Sequence, residues 1–261
     1  MILADMAKEQ VTYHRIFDSE IFKGELSLHK YPWHFHEAYT IVMVDEGAMR
    51  YVFRNGAITV NSGQVFVVNP FAAHYNSAAD NHNCKYRVMF LPLWLFNQSP
   101  QQTGVAHFEN AVNADVYNEL SGLFENLKDV TGEEGYFATI NDIAMLLHSA
   151  FIIKTASLAS TERIEPALQF IHRHLDEKLT VAQLAYECNL SHFHFQRTFK
   201  KAIGLTVTAY IQQCRMERGR ELLRKGLKPV FTSLESGFFD QSHFYKQFKK
   251  MWVLTPANLN K

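Results

Sequence analysis

The sequence predicts an α+β chain of two domains: an N-terminal β-barrel followed by a helical pair, then an all-α C-terminal domain with two helix-turn-helix units joined by a long helix. Three observations predict it. From Val11 to about Pro92, short runs rich in Val, Ile, Tyr and Phe alternate with Gly, Asn and Pro turn signals, the pattern of a small sandwich or barrel. From Ser191 onward one helical unit occurs twice, 49 residues apart. Charge divides the chain the same way. Residues 161–261 hold 16 of the 26 basic and 9 of the 26 acidic residues, a balance of +7, and the 160 residues before them balance at −7. A chain of zero net charge is thus a half suited to a polyanion joined to a half that avoids one.

Taken in order, residues 1–10 are expected as a frayed arm. Tyr39–Val44, Ala48–Phe53 and Gln64–Val68 are strands, separated by turns at Asp45-Glu46-Gly47, Asn55-Gly56, Asn61-Ser62-Gly63 and Asn69-Pro70. Among them lie His34-Phe35-His36 and, four residues after Pro70, His74. On a strand, His34 and His36 share a face. Trp33, Tyr39, Tyr51, Tyr86 and Arg87 join these histidines as candidates to line a pocket. Residues 97–104 read as a polar loop. Two amphipathic helices follow, one striped by Val112, Val116, Leu120, Leu123, Phe124 and Leu127, the other by Ile143, Leu146, Leu147, Ala150 and Phe151. A linker is expected at 157–163, which sets the barrel at 1–105, the helical pair at 106–156 and the second domain at 164–261.

The second domain opens with a helix whose apolar face is Ile164, Ala167, Leu168, Ile171 and Leu175. Leu179–Cys188 forms a further short helix, capped by Thr180, and Asn189 marks a sharp turn where Asn tolerates the left-handed conformation. Ser191 then caps a helix with Phe195 and Phe199 inward, and Gly204 ends it. Phe193, Gln196, Arg197 and Lys200 face outward. Gln and Arg are the side chains that bond adenine and guanine edges bidentately, and Lys and Arg serve phosphates. In the second copy Phe244, Phe248, Lys249 and Lys250 match Phe195, Phe199, Lys200 and Lys201, and the outward set is Gln241, Ser242, Tyr245 and Lys246. Between the copies runs the long helix Ala209–Leu223, where Arg215, Arg218, Arg220, Arg224 and Lys225 are candidates for phosphate contact and Gly219 suggests a close backbone approach.

At these residues the chain resembles the AraC/XylS family of transcription regulators over about residues 160–259, through the linking helix, the second turn Gly237-Phe238, the run Asp240–Lys250 and the closing Leu254-Thr255-Pro256. The resemblance implies two recognition helices set in successive major grooves, about 34 Å apart. It implies base-edge contacts for Phe193, Gln196 and Arg197, with Gln241, Ser242, Tyr245 and Lys246 in the second half. The second half departs from the pattern: Pro229 and Thr232 stand where Ile is usual, and Val253 where a capping Gly is usual. Since Val avoids positive φ, that helix end is expected to be built differently, and the second half to be looser and less base-specific. His194 and His243 are expected to be partly packed. The N-terminal motifs resemble, more loosely, the cupin fold that sensor domains of this family carry, with His34, His36 and His74 facing the barrel interior.

Three histidines so placed would make an enzyme-type metal site in a catalytic cupin. The acidic ligand expected after the second His is missing, since Thr40 and Ile41 stand there and Glu37 is too near. The chain is therefore read as a regulator and not an enzyme, with no metal and no cofactor, controlled by a polar or anionic metabolite in the barrel. The rival readings are a metal-dependent cupin enzyme with a DNA-binding tail, and a regulator answering to a protein partner. The expected partners are double-stranded DNA, the effector, a second copy through the helical pair, and RNA polymerase, with activation the commoner sign. No signal peptide and no apolar run near ~18 residues is seen. Cys84, Cys188 and Cys214, odd in number and without ligand spacing, fit a reducing cytoplasm.

Overall fold

The computed structural model describes residues 10–79, 83–96, 104–109, 112–157 and 161–259. Most of the expected arm and of the polar loop, together with residues 158–160 of the expected linker, lies outside them. The chain divides into two compact units, the first of residues 1–30 and 35–158, the second of residues 159–261 together with the short stretch 31–34.

The first unit holds eleven strands among the described residues: β1 (Gln10–Ile16), β2 (Ser19–Leu26), β3 (Tyr39–Glu46), β4 (Ala48–Phe53), β5 (Gly56–Asn61), β6 (Gln64–Val68), β7 (His74–Ala78), β8 (Cys84–Leu91), β9 (Gly104–Phe108), β10 (Val112–Asn113) and β11 (Ile153–Ser157). A six-stranded sheet runs β1-β2-β8-β3-β6-β10, a three-stranded sheet runs β5-β4-β7, and β9 pairs with β11. Two helices, α1 (Tyr117–Lys128) and α2 (Glu133–Ala150), follow the barrel.

Strand alternation explains how the large sheet serves two cores at once. On one face Tyr39, Ile41, Met43, Val65, Val67, Met89 and Leu91 pack with Leu120, Phe124 and Leu127 of α1 and Tyr136, Ile140, Ile143 and Leu147 of α2. The other face turns to the small sheet: Phe66 meets Tyr51 at 5.5 Å between ring centroids. Val42 pairs with Phe66 and Thr40 with Val68, so Thr40, Val42, Phe66 and Val68 line that interior.

Two boundaries differ from the sequence expectation. Val112, assigned to the first helical stripe, lies in β10 opposite Phe66, because pairing at the sheet edge outweighs a helical spacing that only begins in earnest at Tyr117. Residues 153–157 were expected to run from helix into linker. They return as β11, with Ile153 opposite Phe108, so the expected boundary at 105/106 falls inside β9.

The second unit contains six helices among the described residues: α3 (Glu165–Arg173), α4 (Val181–Glu187), α5 (His192–Ile203), α6 (Val207–Arg224), α7 (Pro229–Glu235) and α8 (Gln241–Trp252). Thr180 and Gln183 form a reciprocal capping box at the start of α4. Asn189 turns the chain at φ +51°. Arg215 of α6 donates to the carbonyls of Leu175 and Glu177, at 2.8 and 2.6 Å. This candidate phosphate contact therefore ties α6 to the chain after α3. Gly219 faces a ring, not a backbone: a Cβ there would lie 2.6 Å from Cε2 of Phe244.

Candidate functional site

Three histidines converge. His34 and His36 lie not on a strand but in the irregular stretch before β3, and His74 opens β7. One ring nitrogen from each of His34, His36 and His74 falls within 4.8 Å of the others. The segments are fastened together: Phe71 N–H donates to the His36 carbonyl at 2.8 Å, and Phe71 itself takes a φ of +61°, an uncommon conformation for a bulky residue. Asn69, just upstream, donates to and accepts from the backbone of Phe108, both at 2.8 Å. The turn before His74 is thereby tied to β9.

The polar character of this end extends beyond the histidines. His34 and His74 are buried. Burial drives the His34 pKa from 6.5 down to about 4, although the Pro32 carbonyl opposes the shift; the imidazole is neutral near pH 7. Rings of Tyr51 and Phe53 lie 5.6 and 5.7 Å from that of His74, and Phe90 lies 4.5 Å from His36. Asn76, two residues beyond His74 on the same face of β7, is buried, and among the described residues its amide has only the Met49 sulfur, at 3.5 Å, as partner. Thr40 pairs across the sheet with Phe90, and its buried hydroxyl has no hydrogen-bond partner among the described residues. A buried hydroxyl and an under-bonded amide are costly unless something else satisfies them.

Two of the expected pocket residues do not belong here. Tyr39 points to the helix side of β3, where its hydroxyl donates to the Ala106 carbonyl at 2.8 Å and its ring meets Phe96 and Phe108. Arg87 also faces the helices. It holds Asp45 through Nε and Nη2, at 3.0 and 2.7 Å, and donates to Ser121 of α1 at 2.8 Å. Tyr117 donates to the same Asp45 oxygen at 2.6 Å. The network joins β3, β8 and α1 with its charges paired. Trp33 is 40% exposed. Tyr51 and Tyr86 are buried, and the Tyr86 ring fills the space a side chain at Gly24 would need. The period-2 rule that groups Thr40 apart from Tyr39 was the available signal, and the aromatic character of Tyr39 obscured it.

In the second unit, α5 and α8 each bury an aromatic seam and leave a polar face outside. Phe195 and Phe199 of α5 are fully buried, as are Phe244 and Phe248 of α8, with Trp252 nearly so. Gln196, Arg197 and Lys200 are exposed, and Phe193 is 86% exposed. Gln241, Ser242 and Lys246 are exposed and Tyr245 is half-buried. His194 and His243 were expected to be partly packed and are exposed instead. The helix ends are built as follows. Ser191 accepts from His194 N–H at 3.4 Å, and Asp240 accepts from His243 N–H at 2.7 Å. Gly204 closes α5 at φ +85°, and Val253 closes α8 at φ +61°. The expectation that Val253 would force a different ending is overturned: the valine takes the left-handed conformation itself.

Residues 17–149 match the AraC-like ligand binding domain family, and residues 184–261 match a helix-turn-helix domain family. The chain belongs to the AraC family of transcription regulators. It is 25% identical over 244 residues to the uncharacterized HTH-type transcriptional regulator YbfI of Bacillus subtilis, covering 90% of this chain and 88% of that protein. It is 25% identical over 242 residues to the HTH-type transcriptional activator RhaS of Escherichia coli, covering 88% and 87%. Among solved structures, fatty-acid-bound ToxT of Vibrio cholerae matches the fold with a TM-score of 0.61 at 14% identity, covering 94% of this chain and 96% of that one. The AraC-family assignment makes the first unit an effector-binding domain and the second a DNA-binding one. No helix of the described residues is long and apolar enough to cross a membrane.

Proposed function

We propose that this AraC-family regulator binds its effector at the polar end of the barrel, on His34, His36, His74, Thr40 and Asn76, and that it is not an enzyme. The observation that carries this is the buried, under-satisfied set of polar groups: among the described residues Thr40 Oγ1 has no partner and the Asn76 amide has only a thioether. A small molecule that completes these bonds gains where water or nothing stood before. The effector acts on DNA binding only through unequal affinity for two arrangements of the protein.

The DNA contacts fall to the exposed faces of α5 and α8. Phe193, Gln196 and Arg197 read base edges in one groove, with Lys200 on phosphate. Gln241, Ser242, Tyr245 and Lys246 occupy the next. The outer surface of the helical pair, where Phe137 and Met145 are exposed at 42% and 71%, joins a second copy. The regulator works as an activator through RNA polymerase, in the cytoplasm.

The test is thermal melting of the full chain against a panel of small metabolites, followed by DNA-binding titrations with each hit. A true effector at 100 times its Kd stabilises by about 2.7 kcal/mol, and the shift is expected to vanish on Thr40→Val and Asn76→Leu. A hit that survives both substitutions places the effector elsewhere.

A further inference from the structure

The missing carboxylate argued against a metal at the three histidines; their hydrogen bonds argue the other way. The same local device occurs twice. His34 Nδ1 lies 2.7 Å from the carbonyl of Pro32, and His74 Nδ1 lies 2.7 Å from the carbonyl of Ala72, each two residues upstream. A carbonyl oxygen only accepts, so in both rings Nδ1 carries the proton and Nε2 carries the lone pair. This is the arrangement of metal-ligating imidazoles, in which the second nitrogen donates to a carbonyl and thereby fixes tautomer and ring direction. One ring nitrogen of each of these two histidines lies within 4.8 Å of the other and of a nitrogen of His36, and with Nδ1 protonated it is Nε2 that can serve as a ligand.

We propose that His34, His36 and His74 bind a borderline transition-metal ion of the Zn²⁺ class. Three neutral nitrogens without sulfur or carboxylate suit Zn²⁺, Co²⁺, Ni²⁺ or Fe²⁺ and do not suit Mg²⁺ or Ca²⁺. The loops that carry the ligands are pinned before any ion arrives, through Phe71 N–H on the His36 carbonyl and through the Asn69 clamp on Phe108. Preorganisation of this kind reduces the ordering cost of binding. A three-nitrogen set leaves a coordination position open. The ion reverses the local charge, so an oxygen donor of an anionic or carbonyl-bearing effector fits that position. This last consequence rests on the effector reading above; the metal site itself does not.

The test uses the full chain, stripped with a chelator, dialysed and titrated with Co²⁺. One ion per chain is expected, with the visible absorption of low-coordinate Co²⁺, displacement by Zn²⁺, and a higher melting temperature with either ion. Replacement of His36, which is half-buried, by Gln is expected to weaken binding about tenfold or more while leaving the melting temperature of the metal-free protein unchanged. His74→Gln should do the same, and if that variant does not fold, His36→Gln decides. Replacement of the exposed His194 by Gln is expected to change nothing, which guards against adventitious binding elsewhere among the 13 histidines. No uptake and no melting shift in the unaltered chain overturns the proposal, and so does full retention of the Co²⁺ spectrum in His36→Gln. Metal bound with no metabolite response would leave the site standing and remove the effector reading.

Discussion

The two copies of the helical unit, α5 and α8, share a seam and differ at their ends. Each packs a pair of phenylalanines four residues apart, and α8 adds Trp252. The aromatic seam of the second recognition helix is therefore at least as extensive as that of the first. The N-terminal cap of α8 is a carboxylate at 2.7 Å where the first has a hydroxyl at 3.4 Å, and negative charge suits a helix N-terminus. Its C-terminal cap is a valine where the first has a glycine. The helices ahead of them differ more. α4 buries Leu184 and Ala185, whereas α7 buries Thr232 and Ser233, with Ser236 buried just after its end, and exposes Val230, Phe231 and Leu234. The buried hydroxyls of α7 are satisfied by its own turns: Thr232 donates to Lys228, Ser233 to Val230 and Ser236 to Thr232. A repeat thus keeps the contacts that position its recognition helix and lets the supporting helix drift.

If the seams are equivalent, Phe195→Ala and Phe244→Ala should each cost about 3–5 kcal/mol in denaturant unfolding. A much smaller loss at Phe244 would show that the second copy is held by something else. Gly219→Ala tests the contact peculiar to the second copy. Its new methyl meets the Phe244 ring, and overpacking should cost about 1–3 kcal/mol; an unchanged midpoint would mean that the ring has room to move.

On DNA, Arg197 and Lys200 of α5 separate reading from holding. Arg197→Ala should cost about 1–3 kcal/mol on the cognate site and relax preference at one base pair. Lys200→Ala should weaken all sequences alike and lower the salt slope by about 1. Equal losses for both on random duplex would erase the distinction. The smallest effect concerns the caps. Val253→Gly should stabilise by about 1 kcal/mol and Gly204→Val destabilise by about 1–2, and thermal melts that fail to move in opposite directions would refute the cap comparison.

Much of this was legible in the sequence because it depends on local spacing. The caps Thr180, Ser191 and Gly204, the turn at Asn189, the strands β3, β4 and β6 and the seam phenylalanines all follow from periodicity and turn chemistry. What was not legible depends on partners far along the chain. Arg87 looked like a pocket residue until Asp45 and Tyr117 were placed beside it, 42 and 30 residues away. Residues 153–157 became a strand only because β9 offered an edge. The tautomers of His34 and His74 depend on carbonyls two residues back, but their convergence depends on a sheet that no local rule assembles.

Val253 carries a consequence for how this chain can change. Valine and glycine codons differ by a single base, so the unstrained ending that α5 already has lies one nucleotide away for α8. A chain that keeps φ +61° at a β-branched residue is holding strain it could shed in one mutational step. Selection that removes only variants below a working threshold leaves such residues in place. Position 253 is thus a point of cheap reserve, able to offset a destabilising change acquired elsewhere in the same helices, including one that alters which bases α8 reads.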